Sequence, residues 1–292
     1  MLIEFFIKIV FIIFLSSNPF SNDLDQIKES GELRHLGIPY GDFVTGSGDG
    51  LDVELIKGFA KHLGVKYVFV ESSWNNIFSE LIGVKVKNGK NGVEFSDKVE
   101  IKGDIISNGI TVLDWRKEVV NFSNPTLPTG IWLIARADSK LKPITPSVSY
   151  KEDIKLVKNM LNKVDVLAME NTCLDPSLYG LDKTGANILL QDKKIKVNEL
   201  VPVIIKNNNE TTLLDAADAL IALQKWPGEI KVIGPISDKQ EMAAATRKTS
   251  PKLLEEFNKY LDKIKNDGTY NELVKKYFPD VYNYYGDFFR QK

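Results

Sequence analysis

Two apolar rhythms alternate along residues 23–82, and their alternation limits the folds open to this chain. DLDQIKESG reads as a short amphipathic helix stopped by Gly31, and LRHLGI as the strand after it. DVELIKGFAKHLG then carries Val53, Leu55, Ile56, Phe59, Ala60 and Leu63 at helical spacing, with Gly64 as its stop. VKYVFVES reads as a second strand and WNNIFSELI as a second helix. Strands separated by helices in this way predict a parallel sheet covered by helices.

The alternation is interrupted once. VKVKNGKNGVEFSDKVEIKGD has period-two alternation and two Asn-Gly pairs, which predicts a solvent-facing β-hairpin insertion over about 84–103. DIISNGIT returns to strand and loop, WRKEVVNFS reads as a turn or short helix and then a strand, and GIWLIARAD as a continuous apolar strand. A Pro- and Ser-rich loop follows, at about 139–150.

A second α/β block comes next. YKEDIKLVKNMLNKV is an amphipathic helix, VDVLAME a strand, and NTCLDPSLYGLDKTG is expected to start a helix at once. LLDAADALIALQKW reads as helical and IKVIGPIS as a strand. The helices SPKLLEEFNKYLDKIKNDG and TYNELVKKYFP have no sheet of their own and are expected to pack back on the first block. The chain would then cross between blocks twice, as a hinge-bending clamp requires. The expected division is 22–127 with 236–292 for lobe one and 128–235 for lobe two. The aromatic tail DVYNYYGDFFRQK is expected to lie along one lobe.

Charge and composition narrow the function classes. Lys and Arg number 38 against 39 Asp and Glu, so the net charge of -1 argues against a nucleic-acid binder. Cys173 is the sole cysteine, which leaves no intramolecular disulfide; it reads as a small buried apolar residue or a free thiol. His35 and His62 lack ligand spacing, so neither a metal nor a cofactor is expected. At the start, Lys8 precedes the apolar run Ile9 to Leu15 and then small and polar residues, the order of a secretory signal peptide, assigned to residues 1–21. An uncleaved anchor is the competing reading, but the run is short against the roughly 20 apolar residues a bilayer span needs. The expected location is the periplasm.

The core stretch GDIISNGITVLDWRKEVVNFSNPT, with LDQIKESGELRHLGIPYGDF and GLDVELIKGFAKHLGVKYVFVESSWNNIFSELI before it, resembles the bacterial periplasmic solute-binding proteins of the polar-amino-acid transport type. VLAMENTCLD, IKVIGPIS and FNKYLDKIKNDGTYNELVKKYFP continue the resemblance in order over nearly the whole mature chain. It implies the α/β, two-lobed type II fold, with two crossing strands as hinge and the ligand in the cleft.

The same resemblance implies a site. Arg116 falls on the arginine that grips the ligand's carboxylate, with Asn108, Gly109 and Thr111 forming the turn before it. The planar guanidinium suits that task through paired hydrogen bonds. The alternative is a surface pair with Asp114 or Glu118. Tyr40 and Trp74 match aromatic positions that sandwich the ligand, or else simply pack lobe one. Thr172 matches a turn at a helix start, where free N–H groups suit an anion; a plain N-cap is the alternative. Asp215 is the best match to the family's amine-binding aspartate, with Asp218 as the other register. The hairpin, Leu113 in place of a hydroxyl residue and the TCLDPSLYG stretch depart from the common pattern.

The expected function is capture of a small carboxylate-bearing solute, an amino acid or a relative, by lobe closure. Delivery would be to an inner-membrane ABC permease, by a monomer without catalysis. A ligand-sensing or accessory role is one alternative. A dehydratase-like enzyme on the same scaffold is another, with Glu170 as its candidate general acid.

Overall fold

A computed structural model describes residues 23–89, 91–191, 199–207, 209–279 and 281. The expected signal peptide and almost all of the aromatic tail lie outside these described residues.

The amphipathic periods fold as their spacing dictates. Helix α1 (Asp23–Ser30) leads into β1 (Glu32–Gly37), then α2 (Leu51–Leu63), β2 (Lys66–Glu71) and α3 (Ile77–Ile82). On α2 the expected apolar face buries Leu55, Ile56 and Phe59 completely. Each such side chain contributes about 1.5–3 kcal/mol over leaving it in water. Gly64 closes the helix in the left-handed region at φ 72°. Trp74 lies in the turn before α3 and not within the helix, as its sequence position had suggested.

Strands β3 (Val84–Gly89) and β4 (Gly92–Lys98) form the expected antiparallel hairpin, largely exposed, with Phe95 standing in solvent. Then come β5 (Ile105–Ile106), α4 (Asp114–Val119) and β6 (Val120–Phe122). The chain crosses on β7 (Leu127–Thr129) into β8 (Ile131–Arg136), α5 (Tyr150–Asn159) and β9 (Asp165–Ala168). It continues through β10 (Asn187–Leu190), α6 (Leu200–Lys206), β11 (Thr211–Asp215), α7 (Ala216–Lys225) and β12 (Ile230–Pro235). It returns on β13 (Gln240–Met242) and β14 (Ala245–Arg247), and ends in α8 (Pro251–Asn266) and α9 (Thr269–Tyr277).

The result is the two-lobed α/β architecture. One sheet has the order β2-β1-β5-β14-β6 and the other β10-β9-β11-β8-β12. In the first, β1 runs parallel to both β2 and β5, and the returning β14 is antiparallel. The crossing strands β7 and β13 pair antiparallel to each other, Pro128 opposite Glu241. As expected, the last two helices pack on the first lobe, α8 against α1 and α9 against α2.

Two sequence expectations fail in the second lobe. NTCLDPSLYGLDKTG does not start an α-helix: it makes a turn and two 3-10 segments, Pro176–Tyr179 and Leu181–Lys183. Asn171 and Gly180 take left-handed conformations, at φ 63° and 62°, which an α-helix does not admit. LLDAADALIALQKW is not helical throughout, since Leu213, Leu214 and Asp215 pair along β8 and the helix begins at Ala216.

Candidate functional site

The first lobe presents its candidate residues from one turn. After β5 the chain makes the Asn108–Thr111 turn, held from behind by α2 and from the side by the returning chain. Asp52 of α2 accepts a hydrogen bond from the Gly109 amide at 2.5 Å. Burial pushes the Asp52 carboxyl up to about 6, against the pull of that amide and of Ser107. Gly109 sits at φ +57°, and a Cβ there would meet the Phe43 ring at 2.8 Å, so glycine is required. The Val112 amide donates to the Glu241 carbonyl at 2.8 Å and the Ala243 amide to Ile110 at 3.0 Å. The turn is thus clamped to the strand that forms the second crossing.

Asn108 uses its side-chain oxygen to accept from the Ile38 amide at 2.6 Å, while its buried Nδ2 has no partner. Arg116, on α4, is 1% exposed. Its Nη1 donates to the Thr111 carbonyl at 2.8 Å, its Nε has no partner, and its guanidinium lies 5.3 Å from the ring centres of both Phe78 and Trp115. No ion pair holds Arg116 among the described residues. The surface pairing considered from sequence is absent, because Asp114 is exposed and bonded to Lys117 at 3.0 Å. Burial draws the Arg116 guanidinium below its usual range, offset in part by Cys173, Tyr179 and Asp215. An ionised, buried guanidinium with a free N–H is costly unless something anionic meets it.

The second lobe answers with carboxylates. Asp215 ends β11 and Asp218 lies in the first turn of α7, three residues on, and both meet the Tyr40 hydroxyl of the first lobe. The two positions weighed from sequence are thus neighbours in the fold. Asp215 is fully buried, with its Oδ1 accepting from Thr129 at 2.9 Å and its Oδ2 from the Cys173 thiol at 3.0 Å. Tyr40 reaches across from the first lobe and donates to Asp215 Oδ2 at 3.2 Å and to Asp218 Oδ2. Burial raises the Asp215 carboxyl, opposed by its three donors. Burial, then the neighbouring Asp215 charge, pushes Asp218 up to about 8.

The aromatic candidates flank this junction. Tyr40 stacks on Phe43, with centroids 5.8 Å apart, and meets Trp74 edge-on at 5.5 Å. Trp74, half-buried, also lines a groove of about 670 Å³ with Phe78 and Trp115; the hairpin forms its outer wall and Asn171 of the second lobe its edge. Thr172 is close by, but its hydroxyl is committed to the turn: it donates to the Met169 carbonyl at 2.9 Å and accepts from the Leu174 amide at 3.0 Å. With no α-helix following, the anion-binding helix start inferred for Thr172 is absent. Glu170, the candidate acid of the enzyme reading, is exposed.

From sequence, Asp218 stands only as an alternative to Asp215, and Cys173 as a small buried apolar residue or a free thiol. The i, i+3 spacing of the two aspartates on a helix start was the signal for joint use. The role of Thr129, at the end of a crossing strand, had none. No group of three or more His, Cys, Asp or Glu side chains among the described residues is arranged to hold a metal.

Residues 37–280 match the bacterial extracellular solute-binding proteins, family 3. The chain belongs to that family. Among family 3 relatives, the L-cystine-binding protein TcyJ of Escherichia coli (strain K12) is 24% identical over 265 residues, 87% of this chain and 85% of TcyJ. A membrane-bound lytic murein transglycosylase F of Desulfosudis oleivorans is 26% identical over 234 residues; these are 80% of this chain but only 44% of that protein. The crystal structure of the ancestral amino acid-binding protein AncCDT-1, a precursor of cyclohexadienyl dehydratase, superposes with a TM-score of 0.66. It is 26% identical and covers 88% of this chain and 99% of its own. The two-lobed architecture is thus the type II fold of this family. No helix among the described residues is long and apolar enough to cross a membrane.

Proposed function

We propose that this chain is a periplasmic binding protein for a small zwitterionic solute, an amino acid or a close relative, which it delivers to an ABC importer. One observation carries the reading: a buried guanidinium with a free N–H, Arg116, lies within electrostatic reach of a buried carboxylate of the other lobe, Asp215. That pairing of opposite charges across a cleft suits a solute with a carboxylate at one end and an ammonium at the other. The carboxylate would take the Arg116 Nε and the Asn108 Nδ2, with the Thr111 hydroxyl and the Gly109 turn alongside. The ammonium would take Asp215. Tyr40 and Trp74 would supply aromatic walls, and Thr172 would hold the turn that places Cys173 on Asp215.

The moving bodies would be 22–127 with 236–292, and 128–235, turning about β7 and β13 after removal of residues 1–21. Capture is then binding without turnover, by a monomer, with the ligand's contacts to both lobes selecting the closed state. The name of the L-cystine-binding relative and that of the ancestral amino acid-binding protein support the ligand class. A second reading, in which the domain senses a ligand for another protein, draws on the match to less than half of a transglycosylase.

The test is a thermal-shift screen of L-amino acids and organic acids on the mature protein. A solute that binds the native form only, at about a hundred times its Kd, stabilises by about 2.7 kcal/mol and raises the melting temperature. The shift should vanish in Arg116→Ala, and a shift that survives this substitution would remove Arg116 from the site.

A further inference from the structure

The inward face of the β3–β4 hairpin is incompletely covered. Val86 and Phe95 lie opposite each other across the two strands, and opposite residues of an antiparallel pair share a face. Val86 uses that face to pack on the first-lobe cluster that holds Phe78 and Leu81. Phe95 points the same way, toward the body of the lobe, yet it is 56% exposed. It borders the groove of about 670 Å³, together with Trp74, Phe78 and Trp115. Four aromatic rings therefore surround one space, and such rings gain from a flat apolar group set on their faces or edges.

The groove adjoins the Arg116–Asp215 site at two points. Trp74 meets Tyr40 edge-on at 5.5 Å, and the Tyr40 hydroxyl reaches Asp215. Phe78 and Trp115 have ring centres 5.5 Å apart, and the Arg116 guanidinium lies 5.3 Å from both. A flat group at ordinary contact with those rings, about 3.5–4.0 Å away, is within about 9 Å of the guanidinium. A long side chain spans that distance, and a methyl group does not. Charge limits what enters. Three lysines and three glutamates line the groove. Lys85 pairs with Asp97 at 2.9 Å, Lys102 with Glu80 at 2.7 Å, and Lys87 lies opposite Glu94 on the hairpin. A wall balanced in this way favours an uncharged occupant over either sign of charge. Asn171 of the second lobe forms the edge, so an occupant touches both lobes.

Resting on the zwitterion reading above, we propose that the hairpin groove is a second subsite for the same ligand. The solute is then an α-amino acid with a long, uncharged side chain that ends in a flat aromatic group. Its head is held between Arg116 and Asp215. Its side chain leaves that site past Trp74 and seats its far end among Trp74, Phe78, Trp115 and Phe95. The hairpin thereby acts as a specificity element, and Phe95 is the residue through which it acts.

The experiment is calorimetric titration of the mature protein with two pairs that share a head and differ at the far end. The pairs are Nε-benzoyl-L-lysine against Nε-acetyl-L-lysine, and γ-L-glutamyl-p-nitroanilide against L-glutamine. At least one aryl member should bind about tenfold or more tightly than its partner. Phe95→Ala removes a ring that is mostly in solvent, so folding is not at stake. In that variant the ratio should fall to within about threefold, with the partner's affinity unchanged. Wild-type affinities within about threefold in both pairs would overturn the proposal, and the zwitterion reading stands if the short members bind and need Arg116. A ratio that persists in Phe95→Ala would also overturn it, since the groove would then belong to a different occupant, such as a protein partner. Aryl binding that survives Arg116→Ala would remove the zwitterion reading and this inference with it. If none of the four binds while an ordinary amino acid gives the thermal shift, this inference alone falls.

Discussion

The Tyr40 hydroxyl donates to Asp215 at 3.2 Å, tying a loop of the first lobe to the end of a strand in the second. With Asp218 on the same hydroxyl, this contact joins the lobes directly. A hydrogen bond to a charged group is worth about 1.5–3 kcal/mol. Tyr40→Phe keeps the ring against Phe43 and Trp74 but removes that bond. The ligand-free protein should then open. Small-angle scattering should show a larger radius of gyration for the variant than for wild type, and equal radii would mean that Tyr40 does not hold the lobes together.

Gly109 is the conformational pivot of the first-lobe turn. Gly109→Ala places a Cβ at a positive φ and drives it into Phe43. We expect a loss of about 2 kcal/mol in unfolding free energy, measured by denaturant titration, together with loss of any ligand-induced thermal shift. Wild-type stability in this variant would mean the turn tolerates a different backbone.

Asp218 makes stability depend on pH in a defined window. Its carboxyl is held at about 8, raised from 3.8 by burial and the Asp215 charge. Between those values the folded protein keeps a proton that the unfolded chain has lost, so stability falls as pH rises and levels above about 8. His35 is lowered to about 4 by burial, so its contribution is present above 6.5 and lost as pH falls toward 4. Asp52 is raised to about 6, so it too has finished titrating below the window of pH 6.5 to 8. Across that window the ligand-free protein should lose up to about 2 kcal/mol, and Asp218→Asn should flatten most of the slope. An equal slope in both proteins would assign the effect elsewhere.

Much of this fold is written in the sequence in forms that local physics can read. The 3.6 period of α2 and the Asn-Gly pairs of the β3–β4 hairpin state their structures outright. The turn before Arg116 was legible through family resemblance. The region after Met169 was not, because apolar Leu174, Leu178 and Leu181 mimic helical spacing, while the left-handed Asn171 and Gly180 break the helix. The return strands Gln240–Met242 and Ala245–Arg247 have three residues each, too few to show a period. The strand end at Asp215 shows only in the pairing, since Asp215 lies opposite Ile131 at the end of β11 and Asp218 falls on the next helix turn. Contacts made between lobes, such as Tyr40 with Asp215, follow from packing and have no local signature.

Arg116→Met separates a binding role from a structural one. Methionine keeps apolar bulk against Phe78 and Trp115 and removes a buried charge that no ion pair compensates among the described residues. Exchanging a poorly paired buried charge for an apolar side chain is often neutral or stabilising, by about 1–4 kcal/mol. The decisive measurement is calorimetric titration of wild type and Arg116→Met with the tightest amino acid found, alongside the melting temperature of each ligand-free protein. A solute held between Arg116 and Asp215 predicts a loss of at least about a hundredfold in affinity with a melting temperature unchanged or raised. Unchanged affinity, or a variant that melts far below wild type, would contradict it.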